Sequence, residues 1–201
     1  MYSTLLELEQ AMNAYLATHF PQFFDGSMSE LLKILEGPAG GGMGVWVREG
    51  RVIEAGVPLG AYTGRLRMRG ALPESAYIFS MKRFSWRRRQ IRSLEIDGAP
   101  YGRASRNRIA NVAQYNHTCT NESVTLRHTA WTLPTGRCAI IVAHASERLV
   151  GPVELRYKYG PGYTLTEEEA DAEVQQGFRV EPCRCIYQGV CPNRLWLNIW
   201  E

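Results

Sequence analysis

The chain has 201 residues, 45% of them hydrophobic and 21% charged, and carries a net charge of +3. That length accommodates one substantial domain with attachments and a sizeable core, and the composition is that of a soluble globular protein. The mild charge selects no class of partner, and no apolar run approaches the ~20 residues that a membrane span needs.

The first 36 residues read as two helices. Thr4 and Glu7 form a capping box, and Leu5, Leu8, Met12, Tyr15, Leu16 and His19 then recur at helical spacing. Phe20-Pro21 ends that helix, because the residue before proline disfavours the α region. Ser27 and Glu30 repeat the capping box ahead of LLKIL, and Gly37-Pro38 supplies the stop. These helices read as a packing or partner-binding attachment. The opening MYSTLLELEQ carries acids and no basic n-region, so it does not read as a signal peptide.

After GPAGGGMG the texture changes. Short apolar runs alternate with turn residues: VWV, RVIEAG, LGAYTGRL, AYIFSM, SLEIDG, SVTLRHTAW, RCAIIVA and VELRYKYG. The expectation is a β-rich body with strands of about five residues. From 161 one further helix is predicted, capped by Thr166 and Glu169, filled by EEEADAEVQQ and closed by Gly177. A short irregular tail follows. The layout is a helical segment at 1–37, a β-rich body at 38–160, and a helix plus cysteine-bearing tail at 161–201.

GGGMG (40–44) lacks the Gly-Lys-Ser/Thr ending of a phosphate loop and the spacing of a dinucleotide fold. It remains a turn whose backbone can approach a ligand closely. The tail reads Cys183-x-Cys185-x5-Cys191. Three thiolates this close call for a fourth ligand to complete a tetrahedral zinc site. Cys138 lies in the apolar run RCAIIVA, where a cysteine packs as a small hydrophobe, whereas Cys119 lies in a polar turn and is the better candidate. In an intracellular, reducing setting such cysteines are thiols or metal ligands rather than disulfides. A Cys119 nucleophile with His117 as base is the competing chemistry, but no third, orienting partner accompanies it. The basic run KRFSWRRRQIR (82–92), interleaved with Phe84 and Trp86, reads as a solvated face or as a nucleic-acid patch.

Taken in order, these pieces resemble the SET domain of protein lysine methyltransferases. GMGVW (42–46) is similar to the family's opening glycine motif. RVIEAGVPLGAYTGRL is similar to its next strand pair, with Tyr62 and Gly64 as the Tyr-x-Gly. YNHTC (115–119) is similar to the Asn-His-Ser-Cys motif, VELRYKYG to the closing strand that ends at Tyr159, and CRCIYQGVC to the post-SET zinc motif. The sequence departs from the family pattern at several places. Five residues rather than four separate Cys185 from Cys191. Ala113 stands where an arginine often precedes the Asn, Asn121-Glu122 replaces a Pro-Asn, and Lys158 replaces an Asp.

The resemblance implies an α+β, mostly β, knotted SET-domain fold of short strands, with N-terminal helices and a zinc-bound C-terminal tail. It implies methyl transfer from S-adenosylmethionine to a protein lysine, a histone tail by family, in the nucleus or a host nucleus. The backbone and side chains of Gly42, Met43, Gly44, Trp46, Asn116 and His117, together with Tyr159, would hold the cofactor. Cys119, Cys183, Cys185 and Cys191 would hold zinc. Tyr62, Tyr157 and Tyr159 would line the lysine channel, since a tyrosine wall is apolar yet offers a hydroxyl to aim an amine. A tyrosine rather than phenylalanine at Tyr157 implies mainly monomethylation. The threaded topology would bring Asn116-His117 beside Tyr159. The alternatives are an inactive SET-like scaffold binding partners through its N-terminal helices, and a zinc-stapled nucleic-acid-binding module using 82–92.

Overall fold

Helix α1 (Leu5–His19) follows the expected periodicity and buries Leu8, Met12 and Leu16. This computed structural model describes residues 5–36, 43–68, 78–81, 84–86, 89–91, 94–98, 109–118, 122–133, 136–159, 164–165, 168, 171, 175, 179–182 and 194–197. Phe20 leaves the helical region, and Pro21–Phe23 forms a single 3-10 turn. Helix α2 (Met28–Leu31) is one turn long, and the Ser27 side chain makes no capping bond to it.

The next segment corrects the sequence reading. LKILE is not helix but strand β1 (Leu32–Glu36), antiparallel to β2 (Met43–Val47) along its whole length. An apolar run of five residues fits either state, and an isolated helix that short gains little from its own hydrogen bonds. Pairing with β2 satisfies the backbone and buries Leu32, so the tertiary partner decides.

The remaining strands are β3 (Val52–Ile53), β4 (Pro58–Ala61), β5 (Arg65–Met68), β6 (Ile78–Met81), β7 (Phe84–Trp86), β8 (Arg89–Ile91), β9 (Leu94–Asp97), β10 (Asn116–His117), β11 (Val124–Leu133), β12 (Gly136–Ala145), β13 (Leu149–Val150), β14 (Val153–Glu154), β15 (Arg156–Tyr157), β16 (Thr164–Leu165), β17 (Arg179–Pro182) and β18 (Arg194–Leu197). They form small sheets, ordered β1-β2-β14, β5-β9-β6, β13-β3 and β16-β18-β17, with a larger one ordered β11-β12-β7-β8 that also takes β4 against β12. The pair β10-β15 is parallel. The strands are mostly as short as expected. The exception is the β11–β12 hairpin, ten residues a side and paired throughout. The basic stretch 82–92 contributes β7 and β8, an antiparallel pair.

The C-terminal segment is also more ordered than an irregular tail. β17 pairs with β18 from Arg179↔Leu197 to Pro182↔Arg194, and β16 pairs with the other edge of β18. Helix is present at 168, 171 and 175, within the segment where one was expected. Gly42, Cys119, Cys183, Cys185 and Cys191 lie outside the described residues. Among the described residues, no group of three or more His, Cys, Asp or Glu side chains could hold a metal ion, and no helix is long and apolar enough to cross a membrane.

The N-terminal helix is joined to the body rather than appended to it. Leu8 and Leu16 belong to the same buried cluster as Val45, Leu59, Ile96 and Ile141. β5 is the outer strand of its sheet, and Glu9 Oε2 accepts the Leu66 backbone N–H at 3.1 Å. A carboxylate thus meets a backbone donor on an edge strand, where an unpaired group invites non-native pairing. Leu16→Ala should therefore cost about 3 kcal/mol, as large-to-small changes at fully buried sites do. Urea unfolding with an unchanged m-value measures it; a loss below about 1 kcal/mol would show that α1 is not packed this way.

Candidate functional site

The site is built around Tyr115. Its side chain is fully buried, and its hydroxyl donates to the Leu59 carbonyl at 3.0 Å. Gly60 makes room for it. A Cβ there would lie 2.8 Å from that hydroxyl and would run into the Ala110 carbonyl oxygen, so this position excludes any side chain. Burial pushes the Tyr115 phenol well above its ordinary pKa, because the ionised form has no water to solvate it.

Asn111 ties the same segment to the strand that leads to Tyr62. Its Oδ1 accepts from Ala113 N–H at 3.1 Å, capping the 3-10 turn Val112–Gln114, and its Nδ2 donates to the Thr63 carbonyl at 3.2 Å. Asn111 also bridges Ala61 in parallel. The buried Tyr62 donates its backbone N–H to Ile141, and its ring tilts against Phe79 at 5.1 Å.

From Tyr115 the chain enters β10. Asn116 lies opposite Arg156, and His117 opposite Tyr157, in the parallel pair with β15. Thr118 N–H continues the ladder to the Tyr157 carbonyl at 3.1 Å. The Tyr159 hydroxyl donates to the Tyr115 carbonyl at 3.0 Å. The rings of Tyr157 and Tyr159 lie 5.1 Å apart and tilted by 46°. The expected juxtaposition of Asn116-His117 with Tyr159 is therefore present.

The glycine motif reaches the same place from β2. Asn116 Nδ2 donates to Glu154 Oε1 at 2.6 Å and to the Met43 carbonyl at 3.3 Å. A Cβ on Gly44 would collide with Glu154 Oε1 and stand 2.8 Å from Asn116 Nδ2. Gly44 is thus a close-approach glycine, and what approaches it in the folded chain is side chain from β10 and β14. Trp46 lies two residues on, hence on the same face of β2, directly opposite Glu154 in the ladder. Its indole Nε1 is buried, and among the described residues nothing accepts from it. A buried donor left without an acceptor costs about 1–3 kcal/mol.

The structure therefore brings Met43, Gly44, Trp46, Asn116, Tyr157 and Tyr159, with the His117 backbone, into one corner. Four residues that sequence reasoning did not select shape that corner: Asn111, Tyr115, Glu154 and Arg156. Glu154 is 5% exposed, and its carboxylate takes the Arg156 guanidinium through Nε at 2.7 Å and through Nη2. An acid between the apolar Val153 and Leu155 of VELRYKYG was the available signal. The departures from the family pattern also find places. Ala113 is buried, and the exposed Lys158 gives its backbone N–H to Glu122 Oε1 at 2.9 Å.

No family model matches the chain, and no curated protein does. Solved structures do. A crystal structure of KRYPTONITE in complex with mCHG DNA and SAH aligns with a TM-score of 0.53 and 21% identity, over 81% of this chain and 28% of that one. A second, in complex with mCHH DNA, H3(1-15) peptide and SAH, aligns with a TM-score of 0.53 and 21% identity, over 82% of this chain and 29% of that one. The chain thus spans less than a third of the length of those proteins. The likeness establishes the fold: the mostly β SET-domain arrangement that the order of motifs implied.

Two consequences follow for Tyr115. Tyr115→Phe leaves the buried Leu59 carbonyl unpaired, which should cost about 1–2 kcal/mol at pH 7. A phenol whose pKa is raised by folding contributes stability that is complete below the unfolded value of about 10 and is lost as pH rises beyond it, since the unfolded chain then gains by ionising. Unfolding free energy should accordingly fall more steeply above pH ~10 in the unmutated chain than in Tyr115→Phe, by up to about 1.4 kcal/mol per pH unit. Urea titrations at pH 7 and above pH 10 measure both; parallel curves would show that the hydroxyl is not buried.

Proposed function

We propose that this chain transfers a methyl group from S-adenosylmethionine to the side-chain amine of a lysine in a protein substrate, with a histone tail as the substrate class and mainly monomethyl-lysine as the product. One observation carries the reading. Within a SET-domain fold, the β10–β15 pairing sets the polar corner of Gly44, Trp46 and Asn116 beside the tyrosine pair Tyr157 and Tyr159. The SAH and H3 peptide held in the KRYPTONITE structures support the choice of cofactor and substrate. A histone substrate would place the protein in a nucleus.

When bound, S-adenosylmethionine supplies a methyl group on a positively charged sulfonium. The Asn116 side chain and the backbone from Gly44 to Trp46 and at His117 fit a ligand with polar groups of both kinds. The chain's own residues have three tasks. First, the attacking lysine must be neutral, although its pKa in water is ~10.4; an apolar wall of buried tyrosines disfavours the ammonium. Second, the amine must be aimed. The Tyr159 hydroxyl spends its proton on the Tyr115 carbonyl, so what it offers a substrate is lone pairs, which accept an amine N–H. Tyr159 thus orients the nucleophile and does not act as a base. Third, water must be excluded, and alignment then accounts for much of the rate.

Methylation of a histone peptide array with labelled cofactor tests the reading. Tyr159→Phe should lower kcat by about 10²-fold, the equivalent of ~2.7 kcal/mol at the transition state, with affinity for S-adenosylhomocysteine nearly unchanged. Tyr157→Phe should shift the product toward di- and trimethyl-lysine, because a water held by the tyrosine hydroxyl occupies the space a methylated amine needs. Equal turnover by Tyr159→Phe, or predominant trimethylation by the unmutated chain, would overturn these assignments.

We also assign one zinc per chain to Cys119, Cys183, Cys185 and Cys191. Four thiolates form a closed tetrahedral set suited to zinc, and metal binding is coupled to local folding. Elemental analysis of untagged protein should find one equivalent, and Cys119→Ser should lower it. Zinc-free protein, or full zinc in Cys119→Ser, would refute the site.

A further inference from the structure

The basic run at 82–92 takes no part in the methyl transfer proposed above. It holds Lys82, Arg83, Arg87, Arg88, Arg89 and Arg92 and no acid, against a net charge of +3 for the whole chain, so the rest of the chain is net acidic. The fold concentrates this charge further. β7 and β8 extend the sheet ordered β11-β12-β7-β8, which also takes β4. Asp and Glu number 20 among the 201 residues, and none of them lies in these five strands. Basic residues on an edge strand such as β8 guard it against non-native pairing. That role does not account for the aromatic residues that share their register.

In β11, Val124 is buried, whereas Thr125 and Arg127 are exposed. Strand residues two apart lie on the same face, so Thr129, Trp131 and Leu133 share the face of Arg127. Leu133 lies opposite Gly136, Gly136 opposite Trp86, and Trp86 opposite Arg89. Residues opposed in this way share a face, and the pair Phe84↔Ile91 follows two residues along on the same one. One face of the sheet thus carries Phe84, Trp86 and Trp131, with Arg127 and Arg89 on its two outer strands.

We propose that this face binds single-stranded nucleic acid, a function separate from methyl transfer. A histone tail is itself cationic and gains nothing from a sheet without acids, whereas a polyanion offsets the repulsion among the clustered arginines. Among polyanions, a row of aromatic residues selects one with free base faces. Stacking on aromatic rings tolerates any sequence but needs bases that have left a duplex, and arginine adds attraction to the phosphates between them.

Fluorescence anisotropy with a labelled oligothymidylate and a labelled oligouridylate, each of about 16 nucleotides, tests this. The 201-residue chain should bind at least one of them, and a preference between the two tells DNA from RNA as the ligand. Each phosphate contact contributes about 0.7 to the slope of log K against log salt for a single strand. Replacing both Arg89→Gln and Arg127→Gln should therefore lower that slope by about 1.4. Trp86→Leu should weaken binding about tenfold with the slope unchanged, as loss of one stacked base does. Should Trp86→Leu fail to fold, ultraviolet crosslinking of bound oligothymidylate to the unmutated chain decides: crosslinks within 84–91 or 127–133 support the proposal, and crosslinks confined elsewhere overturn it. Failure to bind either oligonucleotide at low salt overturns it, whether or not vesicles of anionic phosphatidylserine are bound. So does tighter binding of a duplex of the same length, an unchanged slope in the double arginine variant, or equal binding by Trp86→Leu.

Discussion

Everything at the candidate site depends on the two-residue parallel ladder between β10 and β15. Without it, Asn116 and Tyr159 belong to segments 43 residues apart in sequence with no reason to meet. Two residues of pairing are too little to hold such a crossover. The flanks do the holding: Thr118 N–H extends the ladder to Tyr157, Ser123 N–H reaches the Arg156 carbonyl, and the Tyr159 hydroxyl returns to the Tyr115 carbonyl. Tyr115 is then anchored from below through Leu59. A chain of single hydrogen bonds in a dry setting locates a polar corner that no continuous sheet supports.

The same economy appears at the N-terminus. Helix α1 contributes Leu8, Met12 and Leu16 to the common core and sets Glu9 against the edge strand β5. β5 follows directly on the turn after Tyr62. The helix thus braces the strand that leads out of a candidate channel residue, while β1 braces β2, the strand that carries Gly44 and Trp46. Both halves of the proposed site rest on elements from the first 36 residues, which makes that segment part of the framework of the fold.

Buried and half-buried polar groups find their partners within the same few strands. The buried carboxylate of Glu154 takes its cation from Arg156. The Lys158 backbone N–H meets Glu122, one of the two residues that stand in place of a Pro-Asn. A buried carboxylate demands a partner but not one from a particular position in the chain.

Much was legible in the residues alone. The periodicity of Leu5 to His19 specified α1, because a helix's buried stripe is written at local spacing. The order of GMGVW, AYTG, YNHTC and VELRYKYG gave the fold class through its resemblance to the SET domain, and the likeness to solved structures bears that class out. What stayed hidden was non-local. LLKIL reads as helix until β2 lies alongside it. The cysteine-bearing tail reads as irregular until β17 and β18 pair. Glu154 reads as one more acid until Asn116, Arg156 and Gly44 converge on it. A strand pair and the hydrogen bonds of Asn116 to Met43 and Glu154 are relations between distant residues, and only the tertiary structure decides which distant residues those are.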